Sequence, residues 1–202
     1  MQLIDPGSRM QKLHRVVYSV GHPFFMNVPM TFSTQKNLST ILEPFGANEI
    51  SMDEIRNTLD ATQMFKDFEW AQIQALSQYI QLYRAVPGTV LFSEGDRGDF
   101  MCIVLQGRLD IHKQDMQHDD KRVASVYAGR SLGEMALVDG EVRSATAVVK
   151  EPSVLAVLTH DGFVEIIRDK PALAVKLLLK ISQLISQRLR LTSGILVDYL
   201  EK

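Results

Sequence analysis

The chain has 202 residues, 46% of them hydrophobic, which is material for one domain with an extension or for two very small domains. Its 22 basic and 24 acidic side chains leave a formal charge of −2, so there is no overall attraction to nucleic acid or to an anionic membrane. A single cysteine, Cys102, excludes an internal disulfide framework, and no apolar run has the length of a membrane span or a signal peptide, so a cytoplasmic location is expected.

Residues 1–50 are punctuated by Pro6, Gly7, Gly21, Pro23, Pro29, Pro44 and Gly46, and no long helical period survives between them. Leu13, Val16, Val17 and Val20 fit a turn or two of helix. Phe24, Phe25, Met26, Val28, Met30 and Phe32 form an apolar cluster. Two readings stand for this region. One is an irregular or partly helical arm packed on the main domain or on a partner subunit. The other is a docking segment for another protein.

The main domain is expected over 51–202. Ser51 and Glu54 have the spacing of a capping box, with Ile50 as a hydrophobic staple. Ile55, Leu59 and Thr62 continue on one helical face. After Phe65 and Phe68, a second helix is expected over 69–82, with Ile73, Leu76 and Ile80 in register. Trp70 reads as a packing residue. From Tyr83 the period becomes that of strands. A turn at Val86-Pro87-Gly88 leads to a short strand over 89–92, then to a glycine-rich loop over 93–99. An apolar strand over 100–106 is broken by Gly107 before another over 108–112. Strands follow at 122–127, 145–149 and 154–158, with bends at Gly129 and Pro152. Several short strands at near-regular spacing argue for a small antiparallel barrel.

His112, Asp115, His118, Asp119 and Asp120 sit in a polar stretch without the spacing that fixes a coordination geometry, so a solvated hairpin tip is expected rather than a metal site. Cys102 reads as a buried small hydrophobe. No Ser/His/Asp, Cys/His or paired-carboxylate set stands in a catalytic context, and an enzyme is not expected.

The last forty residues are helical. Asp161 is expected to cap a short helix containing Phe163, Ile166 and Ile167. Pro171 starts a long helix that runs to about Leu200. One stripe on it holds Leu177, Ile181, Leu184, Leu191 and Ile195, and a neighbouring one holds Leu178, Ile185, Leu189, Leu196 and Tyr199. Together they are wide enough for the helix to lie on its own domain and also on a symmetric partner. The alternative is docking wholly within one chain, as a lid. Arg188 interrupts the first stripe and has to reach outward or find a partner.

The most informative stretch is 131–147, SLGEMALVDGEVRSATA. Gly133 allows close backbone approach, and a helical turn starting at Glu134 aims free N–H groups at an anion. Glu134 can accept hydrogen bonds from a sugar hydroxyl. Arg143 offers a charged fork for two oxygens of one phosphate, and Ser144 a further hydroxyl or simply a small volume. Met135, Ala136 and Ala145 complete the small, apolar surroundings. If the stretch were only a turn between strands, Glu134 and Arg143 would merely pair with each other.

This stretch resembles the phosphate-binding cassette of cyclic-nucleotide-binding domains, roughly G-E-x-A-L, a short spacer, then P-R-[ST]-A. The loop and strand at 95–109 are similar to the family's G-D-x-[AG]-D-x-x-Y-x-V-x-x-G-x-[VL] signature, with Cys102 where an aromatic is frequent. One departure is Val142, where the family's proline precedes the arginine. The resemblance covers roughly Asp60 to Leu200. It implies that Glu134 meets the ribose 2′-hydroxyl and Arg143 the cyclic phosphate. The tail around Arg188-Leu189-Arg190-Leu191-Thr192-Ser193 resembles the dimer helix of the bacterial cAMP receptor protein group, which implies that Thr192 and Ser193 reach the adenine, partly from the opposite subunit. A count from Pro171 would put Arg188 and Leu189 there instead.

The fold expected from this likeness is α+β: an antiparallel jelly roll of about eight strands (a double-stranded β-helix), flanked by N-terminal helices and the long C-terminal helix. The expected function is a stand-alone sensor that binds cAMP, or else cGMP, without a catalytic cofactor, and signals as a homodimer to an effector protein. The chain stops at Lys202, where the transcription factors of that group continue into a helix-turn-helix domain, so direct DNA binding is not expected. The alternative is an interaction scaffold with a degenerate pocket.

Overall fold

A computed structural model describes residues 38–45, 52–115 and 117–200. The elements in chain order are α1 (Leu38–Ile41), β1 (Glu43–Pro44), α2 (Met52–Asp60), α3 (Trp70–Ser77), β2 (Ile80–Ala85), β3 (Val90–Phe92), β4 (Phe100–Gln114), β5 (Asp120–Tyr127), β6 (Ser131–Leu132), α4 (Glu134–Asp139), β7 (Thr146–Thr159), α5 (His160–Asp169) and α6 (Pro171–Leu200). The expected arm over 1–50 and the capping box at Ser51 lie outside the described residues, except for 38–45. There β1 pairs with β2 and Leu42 is buried.

Alternation along two long strands builds the domain. In β4, Phe100, Cys102 and Val104 point to one face of the sheet, while Met101 and Ile103 point to the other. In β7, Leu155 and Val157 share the first face, and Ala156 and Leu158 share the second. The first face closes over the interior of the sheet with Leu91, Phe92, Leu109 and Leu132. The second face is covered by helices, through Leu59, Phe65, Ile73, Leu76, Leu177 and Ile181. Both faces are therefore dry, which is why 155–158 reads as an unbroken apolar run.

The described strands form one antiparallel sheet of seven, in the order β1-β2-β7-β4-β5, with β3 on β7 and β6 on β4. This is the expected α+β jelly-roll architecture with seven strands where about eight were expected. Gly107 and Pro152 bend their strands without ending them: β4 and β7 run through with register shifts at Gln106/Arg108 and Arg108/Leu109. The helix expected over 69–82 stops at Ser77, and Ile80 and Leu82 instead pair with Leu158 and Ala156 of β7. Helical spacing at Ile80 was coincidental, because the pairing partner is nearly 80 residues away and leaves no local signal. Thr159, not Asp161, caps α5, its hydroxyl accepting from the Gly162 N–H at 3.1 Å.

The first half of α6 lies on the domain, with Leu177, Ile181 and Leu184 buried. Beyond Leu184 the same stripe leaves the core, and Leu191 and Ile195 are exposed, as is Leu189 on the second stripe. No helix among the described residues is long and apolar enough to cross a membrane.

Candidate functional site

Gly133 joins β6 to α4 with φ 78°, in the left-handed region. A Cβ there would stand 2.6 Å from Arg143 Nη1 and 3.1 Å from the Phe100 carbonyl oxygen. That space belongs to the Arg143 guanidinium. Its Nη1 donates to the Gly133 carbonyl at 3.1 Å and its Nη2 to the Phe100 carbonyl at 2.8 Å. The rings of Phe92 and Phe100 lie against it, with centroids 4.2 and 4.5 Å from Cζ. The residue is 3% exposed, and burial pulls its pKa below the ordinary guanidinium value, from a starting point so high that it stays charged.

The backbone of Arg143 is clamped by the glycine-rich loop. Its N–H donates to the Asp96 carbonyl at 2.7 Å, and its own carbonyl accepts from the Gly95 N–H at 2.9 Å. Gly98 lies so close to α4 that a Cβ would meet Ala136 Cβ at 2.1 Å. Both clamp bonds use backbone groups of Arg143 and none of Val142, so the missing proline removes nothing from them.

Glu134 opens α4 and is 1% exposed. Its partner is not Arg143. Arg188 reaches down from α6, its Nη1 donating to Glu134 Oε1 and its Nη2 to the Ser131 carbonyl. The residue that breaks the apolar stripe of α6 thus finds its partner in the cassette.

These groups line a cavity of about 790 Å³ enclosed by β4, β5, the cassette and α6. Three buried polar atoms on its walls have no hydrogen-bond partner: Arg143 Nε, Glu134 Oε2 and Ser131 Oγ. Leaving such groups unpaired costs on the order of 1–3 kcal/mol each. One is a charged donor, one an acceptor and one a hydroxyl. A ligand carrying both an anionic oxygen and a hydroxyl would satisfy them together.

Residues 84–170 match the family model described as the cyclic nucleotide-binding domain. This segment belongs to the cyclic nucleotide-binding domain family. The chain is similar to the cyclic AMP receptor protein of Thermus thermophilus, with 26% identity over 132 residues, covering 65% of this chain and 59% of that protein. It is also similar to a cGMP-dependent protein kinase of Plasmodium berghei, with 33% identity over 75 residues, covering 37% of this chain and 8% of the kinase. Among solved structures, a cyclic nucleotide-binding domain from Methylobacillus flagellatus superposes with a TM-score of 0.71 at 29% identity, covering 81% of this chain and 92% of that one. The chain thus spans 59% of the length of the first of these curated relatives and 8% of the second.

Against the family's cassette, the structure places Gly133, Glu134, Met135, Ala136, Arg143, Ser144 and Ala145 on one cavity wall. Thr192 lies on the opposite wall, on α6. Ser193 does not line the cavity: its hydroxyl donates back to the Leu189 carbonyl at 2.8 Å. The two residues are about 100° apart around a helix, so only one of them can face the cavity of its own chain. Sequence reasoning missed Ser131, Gln63 and Gln187 on the walls. Gln63 lies in the turn region between α2 and α3 and Gln187 on α6, both far from the cassette in sequence, and only the tertiary fold brings them in. Ser131 had a signal, since it stands two residues before the cassette glycine.

Proposed function

We propose that this chain is a cyclic-nucleotide sensor with a regulatory rather than catalytic role. Its ligand is a 3′,5′-cyclic purine mononucleotide, cAMP first and cGMP second. The observation that carries this reading is the trio of unpaired buried atoms at Arg143, Glu134 and Ser131. A cyclic phosphate supplies oxygens to Arg143 Nε, and a ribose 2′-hydroxyl supplies a donor to Glu134 Oε2. Thr192 on the α6 wall supports adenine contact. Relatives named for cAMP and for cGMP support the class of ligand and leave the base to experiment.

In this reading the ligand touches the cassette and α6 at once, so binding favours the arrangement in which both are docked. The exposed stripe of α6, including Leu178 and Leu189, supports assembly into a homodimer, and the docked helix passes occupancy to an effector protein. A second reading has one observation in its favour: Arg188 already occupies Glu134, as it would in a scaffold with a disused pocket. Calorimetric titration with cAMP, cGMP and cyclic di-GMP separates the two. Saturable binding of a cyclic mononucleotide supports the sensor, and no binding at millimolar concentration supports the scaffold.

A further inference from the structure

The end of β4 is tied to the exit of the cassette by one lysine. Lys113 Nζ donates to the Ser144 carbonyl at 3.0 Å and lies 3.4 Å from Glu94 Oε1. The other oxygen of that carboxylate accepts from the Gln114 N–H at 3.1 Å. The Glu94 N–H in turn donates to Thr146 Oγ1 at 2.9 Å. Lys113, Glu94 and the segment 144–146 therefore close a ring of polar contacts among three stretches distant in sequence. Lys113 lies outside both stretches that carry the likeness to the family, 95–109 and 131–147.

These contacts fall beside Arg143. Its backbone is already clamped by Gly95 and Asp96, and Ser144 is the next residue along. Ser144 and Ala145 line the cavity, whereas Lys113 and Glu94 do not. The ammonium thus takes the Ser144 carbonyl from behind the cavity wall. In a planar trans peptide the N–H points opposite to the carbonyl, so a bond that fixes the Ser144 oxygen also fixes the direction of the Ala145 N–H. Glu94 offsets the charge of the lysine at longer range. What reaches the cavity is the orientation of one peptide rather than a free positive charge.

We infer that Lys113 is a positioning residue for the phosphate of the ligand. It holds the 144–145 peptide, and with it the wall next to Arg143, in the orientation that meets one of the two exocyclic oxygens of a cyclic phosphate. This rests on the nucleotide-sensor reading above.

The experiment is calorimetric titration of the full chain with cAMP and with its Rp and Sp phosphorothioates, in which sulfur replaces one or the other exocyclic oxygen. It is repeated on Lys113→Met, Lys113→Arg and the double variant Lys113→Met/Glu94→Gln, with thermal unfolding of each. Lys113 is about half exposed, so the substitutions leave the fold intact and the midpoint stays within about 2 °C. In Lys113→Met the affinity for cAMP is expected to fall about threefold to tenfold, and the ratio of Rp to Sp affinity to change by about threefold or more. Lys113→Arg, which keeps a donor, recovers most of both, and the double variant stays weak. Equal affinity for cAMP in the native chain and Lys113→Met, or an unchanged Rp to Sp ratio, overturns the inference. So does recovery in the double variant, because the uncompensated Glu94 charge and not the lost hydrogen bond would then weaken binding. Absence of heat with cAMP from the native chain overturns the sensor reading itself, and that titration alone identifies the case.

Discussion

Arg188 of α6 and Glu134 of α4 are 54 residues apart in sequence and form an ion pair across the mouth of the cavity. Glu134 is buried and Arg188 about half exposed. Arg188→Met leaves the carboxylate without its cation in a dry site. It should cost about 2 kcal/mol, less than a fully buried pair would because one partner meets water. Glu134→Gln in the Arg188→Met background should recover part of that loss. Urea unfolding of the four proteins of this cycle measures the coupling, and additive costs would show that the pair contributes nothing.

Gly133→Ala tests whether the left-handed turn exists to seat Arg143. The substitution meets strain at φ 78° and drives a methyl group against Arg143 Nη1. A stability loss of about 1–2 kcal/mol is expected, with nucleotide affinity falling alongside it. Unchanged unfolding midpoints would mean that the guanidinium is held elsewhere.

Asp110 gives the fold an acid limit. The Ser125 hydroxyl donates to its carboxylate at 2.6 Å and holds it below the usual carboxylate range, with the Arg108 and Arg122 charges acting in the same direction. The folded state therefore binds this proton less tightly than the unfolded chain. The stabilisation is present above the ordinary aspartate pKa and is lost as pH falls through the depressed folded value. The unfolding midpoint should decline below about pH 4. Ser125→Ala should lower stability by about 1 kcal/mol at pH 7 and flatten that acid decline. An identical acid profile in the variant would contradict the assignment.

Leu189 is 66% exposed on the second stripe of α6. If a second copy covers it, light scattering of the native chain gives twice its 22.8 kDa, and Leu189→Lys returns it to a monomer without altering the unfolding of the domain. A native mass of one chain would leave α6 as a lid only.

What the sequence made legible follows from how local each feature is. Gly133, Glu134 and Arg143 lie within eleven consecutive residues, and the turn that joins them depends on the residues themselves, so both the cassette and the long helix from Pro171 were readable. The end of α3 was not readable, because only distant β7 makes Ile80 and Leu82 a strand. Nor was the partner of Glu134. A bare turn between strands would have paired Glu134 with Arg143, but the guanidinium of Arg143 is held by two backbone carbonyls, and the cation that meets the carboxylate comes from α6. The interruption at Arg188 was visible as a defect in an apolar stripe, and its purpose became visible only in three dimensions.

Arg143→Lys keeps the charge but removes the planar fork and the Nε donor. The decisive measurement is calorimetric titration of the native chain and this variant with 3′,5′-cyclic AMP and GMP, using linear 5′-AMP as a control. Saturable binding of a cyclic nucleotide by the native chain is predicted, with weaker binding of the linear form and a loss of about tenfold or more in the variant, worth about 1.4 kcal/mol. Equal affinity in the two proteins, or no heat from either cyclic nucleotide at millimolar concentration, would contradict the assignment of this cavity.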